Sequence, residues 1–272
     1  MVTLSPYEPM ISKVVEVITE TPTIKTFVIE PPEPFVFRAG QFAQVTVPGE
    51  GEAPFTPSSD PAEPERLEFT VIRTGRMTER LHAVKPGDRL GVRGPFGQGY
   101  PIQEMAGKHV LIVGGGCGLA PLRSLILALL RQMDRIAGMH IRYGARESRE
   151  CLYQRAYDQW GAIPKVDVAC TIDVAEEGWR GHVGVVTTLL DKLPAPKDEV
   201  VAVSCGPEIM LKFVTQTLLE RGLDPDQIIL SMNRRMSCGI GKCGRCNIGP
   251  YYLCCDGPDI HYAKIKDFAH VF

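Results

Sequence analysis

The sequence predicts an antiparallel β-barrel over residues 1–104, an α/β domain with a parallel sheet over 105–231, and a small cysteine-rich lobe over 232–272. Three observations predict this. The first hundred residues hold short β-branched runs punctuated by Pro and Gly, with no helical periodicity. After Gly94-Pro95-Phe96-Gly97, apolar strands alternate with helical segments. Five of the nine cysteines then fall between Ser231 and Pro258.

In the first region Lys13 to Thr19 and Ile24 to Ile29 read as strands separated by a Thr-Pro turn, and Gln41 to Val47 and Leu67 to Arg73 alternate apolar and polar residues. Many short strands of this kind close into a barrel or sandwich. Two loops carry candidate chemistry. Ala53-Pro54-Phe55-Thr56-Pro57-Ser58-Ser59 sets an aromatic face beside hydroxyls, as a flavin ring and its polar edge require; by itself it is also an ordinary polar loop. From Arg73 to Leu81 a strand ends, Gly75 turns the chain and Thr78 begins a helix, whose free N–H groups suit a pyrophosphate, with Arg73 or Arg76 adding charge. The plain alternative is a Thr N-cap.

In the middle region His109–Val113, His140–Tyr143, Val166–Thr171, Val200–Ser204 and Ile228–Leu230 read as strands, and 121–133, 150–160, 185–193 and 208–221 as helices. Such a sheet binds ligands at the carboxyl ends of its strands. The first strand ends in Gly114-Gly115-Gly116-Cys117-Gly118-Leu119-Ala120-Pro121, where the backbone can approach a diphosphate and Pro121 opens a helix. The fourth ends in Cys205-Gly206-Pro207 followed by Glu208-Ile209-Met210, placing a thiol at the same edge; its plain reading is a small buried residue.

In the last region Cys238, Cys243 and Cys246 stand as Cys-x4-Cys-x2-Cys, and Cys254 or Cys255 follows a Gly-Pro turn. That spacing is associated with a two-iron, two-sulfur (2Fe-2S) cluster, and Gly239, Gly241 and Gly244 permit the positive φ that turns N–H groups toward sulfur. Tetrahedral zinc is the rival, although its sites favour pairs of Cys-x2-Cys type. A purified zinc protein would be colourless.

Composition narrows the classes. With 44% hydrophobic and 23% charged residues the chain buries ordinary cores, and 30 Lys and Arg against 32 Asp and Glu, without long runs of one sign, give no reason to propose nucleic acid. The amino terminus lacks the pattern of a secretory signal, and the apolar stretch from His109 to Leu130 is broken by glycines, Pro121 and Arg123, so no membrane span is expected. Nine cysteines without a signal point to a reducing cytoplasm. His261 and His270 read as surface residues, and Glu176-Glu177 as a solvated loop.

Taken together, glycine turn, Cys-Gly-Pro-x-x-Met and terminal cysteines resemble the ferredoxin–NADP reductase superfamily, and within it the electron-transfer subunit of dihydroorotate dehydrogenase B, the gamma (diaphorase) subunits of soluble hydrogenases and the corresponding subunit of anaerobic sulfite reductase. The resemblance covers nearly the whole chain. It implies an antiparallel β-barrel flavin domain, an α/β parallel-sheet nucleotide-binding domain and a small C-terminal iron-sulfur lobe, with FAD, NAD(P)H and a 2Fe-2S cluster as cofactors. It implies that Gly114, Gly115, Gly116, Gly118, Ala120 and Pro121 hold the dinucleotide, with Cys205, Gly206, Pro207 and Met210 near the nicotinamide and Cys205 as the catalytic candidate. Gly75 and Thr78 match a Gly-x-x-Ser/Thr flavin-diphosphate motif, which Arg73 adjoins. Thr56 and Phe55, with Ser59 beyond them, match an Arg-x-Tyr-Ser/Thr flavin motif in which Ala53 replaces the Arg, a departure that bears on FAD against FMN. In the relatives the fourth cluster cysteine precedes Lys-Asp-Gly-Pro, so Cys254 matches it and Cys255 replaces the Lys, giving Cys238, Cys243, Cys246 and Cys254 as ligands.

The implied function is transfer of electrons from NAD(P)H through FAD and the cluster to a larger redox subunit in a hetero-oligomer, such as a hydrogenase, sulfite reductase or dihydroorotate dehydrogenase. A stand-alone reductase of ferredoxin or a small acceptor is the alternative. Arg234, Arg235, Lys242 and Arg245 around the cysteines suit cluster tuning and an acidic partner, or form a solvated patch. Arg142, Arg146 and Arg149 suit a 2′-phosphate while Glu147 opposes one, and the balance falls to NADH.

Overall fold

The computed structural model describes residues 5–269 and 271–272. The chain divides into two compact units, one comprising residues to Tyr100, Arg123–Ala128 and Met232–Asp259, the other Pro101–Leu122, Leu129–Ser231 and Ile260–Phe272.

In the first unit β1 (Met10–Thr19), β2 (Ile24–Glu30), β3 (Phe42–Val47), β4 (Gly51–Phe55), β5 (Leu67–Ile72) and β6 (Arg89–Phe96) form one sheet in the order β4-β3-β6-β1-β2-β5. Its strands pair antiparallel, and the outer strands β4 and β5 also meet, which curls the sheet into the expected barrel. Alternation drives it: Leu67, Phe69 and Val71 of β5 and Val45 of β3 point inward and are buried with Phe27, Leu90 and Val92. Each such side chain contributes about 1.5–3 kcal/mol over its exposed state. A bulge between Val14 and Glu16 bends β1. Helix α1 (Arg76–His82) buries Leu81 in this core and packs Met77 against it.

In the second unit β7 (His109–Gly115), β8 (Gly138–Ala145), β9 (Val166–Ile172), β10 (His182–Val183), β11 (Val200–Cys205), β12 (Ile228–Ser231) and, at the edge, a strand at Asp259–His261 form a sheet in the order β10-β9-β8-β7-β11-β12-edge strand. The pairs from β10 to β12 are parallel. Sequence reading found five of these strands and missed the two short outer ones. Strand β7 lies at the centre, so its run Val110–Val113 is buried on both faces, as a continuous apolar strand requires.

Helix α2 (Leu119–Leu130) starts two residues before the expected Pro121, after a 3-10 turn at Gly116–Gly118; Pro is tolerated there because the first turn has no use for its N–H. Helix α3 (Gln154–Gly161) begins four residues later than expected, since 148–150 form a separate 3-10 turn. The segment expected to be helical at 185–193 is a 3-10 turn, Val186–Leu190, where β-branched Val and Thr disfavour the α-helix. Helix α4 (Glu208–Glu220) matches its expected span within a residue. Among the described residues no helix is long and apolar enough to cross a membrane.

Candidate functional site

At the carboxyl edge of the central strands, register places Gly114 of β7 beside Cys205 of β11 on one side and Tyr143 of β8 on the other. The glycine turn and Cys-Gly-Pro segment therefore meet. A Cβ on Gly118 would lie 2.3 Å from the Cys205 carbonyl oxygen, and one on Gly115 would lie 2.2 Å from the Met210 sulfur. Gly116, at φ +53°, has nothing within 4 Å of its would-be Cβ. The turn is thus packed on one side and open on the other, a cradle that fits a dinucleotide phosphate. Ala120 is buried in the first turn of α2. Pro207 caps α4. Met210 packs its thioether against Gly115 and Gly206. Sequence reading missed Tyr143, whose hydroxyl donates to the Gly116 carbonyl at 3.1 Å; its burial pushes its pKa well up, so it remains neutral.

Several sequence expectations for this unit need correction. Arg142 lies within β8 and pairs with Asp167 at 2.5 Å, and Arg149 pairs with Glu147 at 2.6 Å, which leaves Arg146, exposed just after the strand. Glu176 is held, accepting from the Ser148 N–H at 3.0 Å and from its hydroxyl. His261, expected at the surface, is partly exposed and rests against the Asp226 carbonyl at 2.7 Å and Glu104 at 3.1 Å. His270 lies outside the described residues.

In the barrel unit, Phe55 ends β4 and packs partly buried against the core. Thr56 is half-buried. Ser58 bonds to the Glu68 carbonyl and Thr70 hydroxyl, while Arg123 donates to the Ser58 carbonyl at 2.8 Å and pairs with Glu68. Ser59 Oγ is buried with no hydrogen-bond partner among the described residues, and a buried hydroxyl of that kind fits a bound flavin's polar edge. Thr78 does not begin the helix. Gly75 is the N-cap, and the Thr78 hydroxyl reaches back to accept from the N–H groups of Thr74 and Gly75 at 2.9 and 3.0 Å, holding the turn. Arg73 is exposed, whereas Arg76 shares Glu50 with Arg80 at 3.3 and 3.2 Å.

The cysteine loop belongs to the same unit as the barrel. Gly239, Gly241 and Gly244 adopt φ of +80°, +73° and +70°. At Gly239 the backbone also presses on the Phe96 ring, 2.7 Å from a would-be Cβ, so only glycine fits. The turns aim N–H groups at sulfur: Ile240 and Lys242 donate to Cys238 at 3.5 and 3.3 Å, and Gly241 to Cys254 at 3.1 Å. Burial acts to raise the Cys238 thiol, but the N–H groups of Ile240, Cys243 and Lys242 with the Cys243 thiol outweigh it and bring its pKa to about 6. Burial first, then the Cys246 thiol, drive Cys254 up, against the Gly241 N–H.

The Cys238 thiol interacts with that of Cys243, and the Cys254 thiol with those of Cys246 and Cys255. Four thiols with N–H groups turned toward two of them suit two irons, each ligated twice. Among the described residues no three His, Cys, Asp or Glu side chains surround a single metal point. Cys246 and Cys254 are buried and Cys243 is exposed, while Cys255 places its sulfur 3.8 Å from that of Cys254.

Two barrel residues that sequence reading missed support this loop. Arg93 of β6, only 6% exposed, pairs with Glu52 and donates to the carbonyls of Cys238 at 2.8 Å and Ser237 at 3.2 Å. Gln44 of β3, fully buried, donates to the Met236 carbonyl.

Comparison with known proteins agrees. Residues 11–100 match the oxidoreductase FAD-binding domain, 112–216 the oxidoreductase NAD-binding domain, and 233–266 the iron-sulfur cluster binding domain of dihydroorotate dehydrogenase B. Sulfhydrogenase 1 subunit gamma of Pyrococcus furiosus is 34% identical over 96% of this chain and 93% of its own. The probable dihydroorotate dehydrogenase B (NAD(+)) electron transfer subunit of Methanocaldococcus jannaschii is 35% identical over 95% and 92%. Among solved structures, one described in a study of flavin-based electron bifurcation by an NADH-dependent reduced ferredoxin–NADP oxidoreductase superposes with a TM-score of 0.78 at 27% identity, over 93% of this chain and 89% of that one. A ferredoxin–NADP+ reductase from Neisseria gonorrhoeae shares the fold, at a TM-score of 0.68 and 21% identity over 82% and 98%. With a FAD-binding barrel, an NAD-binding sheet and an iron–sulfur loop in one chain, this protein belongs to the family of flavin and iron–sulfur electron-transfer subunits that includes those of sulfhydrogenase and dihydroorotate dehydrogenase B.

Proposed function

We propose that this chain is the diaphorase subunit of a larger, cytoplasmic redox complex, taking reducing equivalents from NADH and handing single electrons to a partner subunit such as a hydrogenase, a sulfite reductase or a dihydroorotate dehydrogenase. Bound FAD supplies the change from paired to single electrons, and the cluster carries them singly. The residues divide the work. Gly114, Gly115, Gly116, Gly118, Ala120 and Pro121 hold the dinucleotide diphosphate at the start of α2. Cys205, Gly206, Pro207 and Met210 shape the edge where the nicotinamide enters. Phe55, Thr56 and Ser59, with Arg73 and the Gly75–Thr78 turn, hold the flavin. Cys238, Cys243, Cys246 and Cys254 ligate the cluster. The engagement of Arg142 by Asp167 supports NADH over NADPH, while Arg149 and Glu147 offset each other.

One observation carries the partner reading: Cys243 is exposed, and Lys242 and Arg245 on either side of it are exposed cations. A cluster edge that reaches the surface within positive charge suits delivery to an acidic protein surface. The test is anaerobic purification from the native host. Co-purification of a larger redox subunit, with NADH bleaching the flavin and raising a rhombic low-temperature paramagnetic signal, is expected; a lone chain that turns over its natural acceptor unaided would refute the subunit reading.

A further inference from the structure

Three thiols, those of Cys117, Cys151 and Cys170, lie around the buried ring of Tyr143 in the nucleotide-binding unit. Two of them face each other, Cys151 Sγ standing 3.8 Å from Cys170 Sγ. Neither figures among the residues assigned above to NADH, flavin or cluster. Cys170 sits within β9, directly beside Tyr143 of β8, while Cys151 lies in the connection between β8 and α3. We propose that Cys151 and Cys170 form a dithiol modification site, oxidised to a disulfide by a small-molecule disulfide of the glutathione class, and that this bond weakens the hold on NAD(H) through Tyr143.

The reaction balances without other reagents. One sulfur–sulfur bond forms between Cys151 and Cys170 as that of the oxidant breaks; the two cysteine thiols give up two protons and two electrons, and the oxidant leaves as two thiols. Cys170 is partly exposed and offers access, whereas Cys151 is 3% exposed. Cys170 therefore exchanges with the oxidant first, taking up a mixed disulfide, and the Cys151 sulfur 3.8 Å away then displaces the remaining small thiol to close the bond.

Structural coupling follows from what each sulfur is tied to. A disulfide requires about 2.05 Å between sulfurs, so the pair must close by nearly half its separation. Cys170 is fixed by strand pairing on β8, so the movement falls on Cys151 and its neighbour Leu152, ahead of Tyr153, which already holds a left-handed φ of +58°. The Leu152 N–H donates to the Tyr143 hydroxyl at 3.2 Å, and that hydroxyl donates to the Gly116 carbonyl at 3.1 Å. Drawing Leu152 away removes the donor that orients the hydroxyl anchoring the glycine turn.

This inference rests on the reading that the glycine turn holds the dinucleotide. Its test uses the whole holoprotein, equilibrated anaerobically across ratios of glutathione to glutathione disulfide, with iron per chain measured alongside. Differential alkylation and mass spectrometry should find Cys151 joined to Cys170. Calorimetric titration with NAD+ should show binding about 3- to 10-fold weaker, as the loss of one hydrogen bond implies, restored by dithiothreitol and absent from Cys170→Ser. Two thiols that stay alkylatable throughout, a bond from Cys151 or Cys170 to Cys117, or a disulfide that leaves NAD+ affinity unchanged would each overturn it. Gly118→Ala separates the two levels: unchanged NAD+ binding in that variant sinks the glycine-turn reading, whereas normal loss there with no effect of the disulfide sinks only this proposal.

Discussion

Gly118→Ala probes the glycine turn most directly, because the conflict it creates is with backbone. The new Cβ would stand 2.3 Å from the Cys205 carbonyl oxygen and 2.5 Å from its carbon, with Gly206 Cα at 2.7 Å. Ordinary contact begins near 3.5 Å, so the turn or the end of β11 must give way by about 1 Å, and a misplacement of that size can cost about 100-fold in a positioned reaction. That factor corresponds to about 2.7 kcal/mol. Gly116→Ala is the control, since its Cβ meets open space and only its φ of +53° is penalised, at about 1–2 kcal/mol drawn from folding. The Cβ of Gly115→Ala meets the flexible Met210 sulfur at 2.2 Å and Pro207 at an ordinary 3.5 Å, so Met210 can swing aside and this variant should lose less than Gly118→Ala. The assay is anaerobic stopped-flow bleaching of the flavin against NADH concentration, with FAD per chain confirmed equal. Gly118→Ala should fall about two decades in apparent second-order rate, and Gly116→Ala by less than one. Equal losses in the two variants, or none in Gly118→Ala, would refute the reasoning.

Cys254→Ser should lose acid-labile sulfide and iron, whereas Cys255→Ser should keep two irons per chain by colorimetric assay; the reverse would exchange their assignments. Arg93→Gln removes charge-assisted bonds to the Ser237 and Cys238 carbonyls, each worth about 1.5–3 kcal/mol, so iron release to a chelator should accelerate and the barrel unit should melt earlier. Arg245→Gln removes a cation beside the cluster loop and should lower its midpoint potential in a redox titration; an unchanged value would leave that cation without a tuning role. For pH, burial foremost, then Arg142 and His109, hold His140 below its ordinary value of 6.5. The unfolded chain therefore takes up a proton that the folded chain refuses, and stability falls as pH drops from about 6.5 toward the folded value. His140→Asn should flatten that part of the denaturation profile, and an unaltered slope would assign the loss elsewhere.

The two kinds of periodicity made the fold legible, and the exceptions share a cause. Strands β10 and the edge strand at Asp259–His261 have two and three residues, too few for any period to register. Val186–Leu190 carries helical spacing, yet its β-branched residues and its position against β8 and β9 settle it as a 3-10 turn. At the site, glycines and cysteines were legible because their chemistry depends on residue type at fixed spacing. Arg93, Gln44, Arg123 and Tyr143 were not, because each acts on backbone carbonyls far away in sequence: Arg93 and Cys238 are brought together only by folding. Conversely, Arg142 read as a phosphate ligand from its neighbours in sequence, and its engagement by Asp167 on the adjacent strand depends on a register that sequence alone does not reveal.

The placement of the cysteine loop with the barrel bears on electron transfer. Electron tunnelling falls steeply with distance, so a flavin-binding barrel and a cluster loop work together only if their separation is held constant. Here the loop is fastened to the barrel at both ends. Arg93 and Gln44 hold the carbonyls of Met236, Ser237 and Cys238 at its start. At its close, the Gln98 N–H donates to the Gly257 carbonyl at 2.7 Å and its side-chain amide to the Cys255 carbonyl at 2.8 Å, while Gly97 presses against Gly257 closely enough to exclude a Cβ. These fastenings are mostly backbone carbonyls gripped by the barrel, so the loop's cysteine side chains stay available for ligation. A substitution that loosens them, Arg93→Gln foremost, should therefore slow reduction of the cluster more than reduction of the flavin by NADH. Equal slowing of both steps would place the function of these contacts in folding alone.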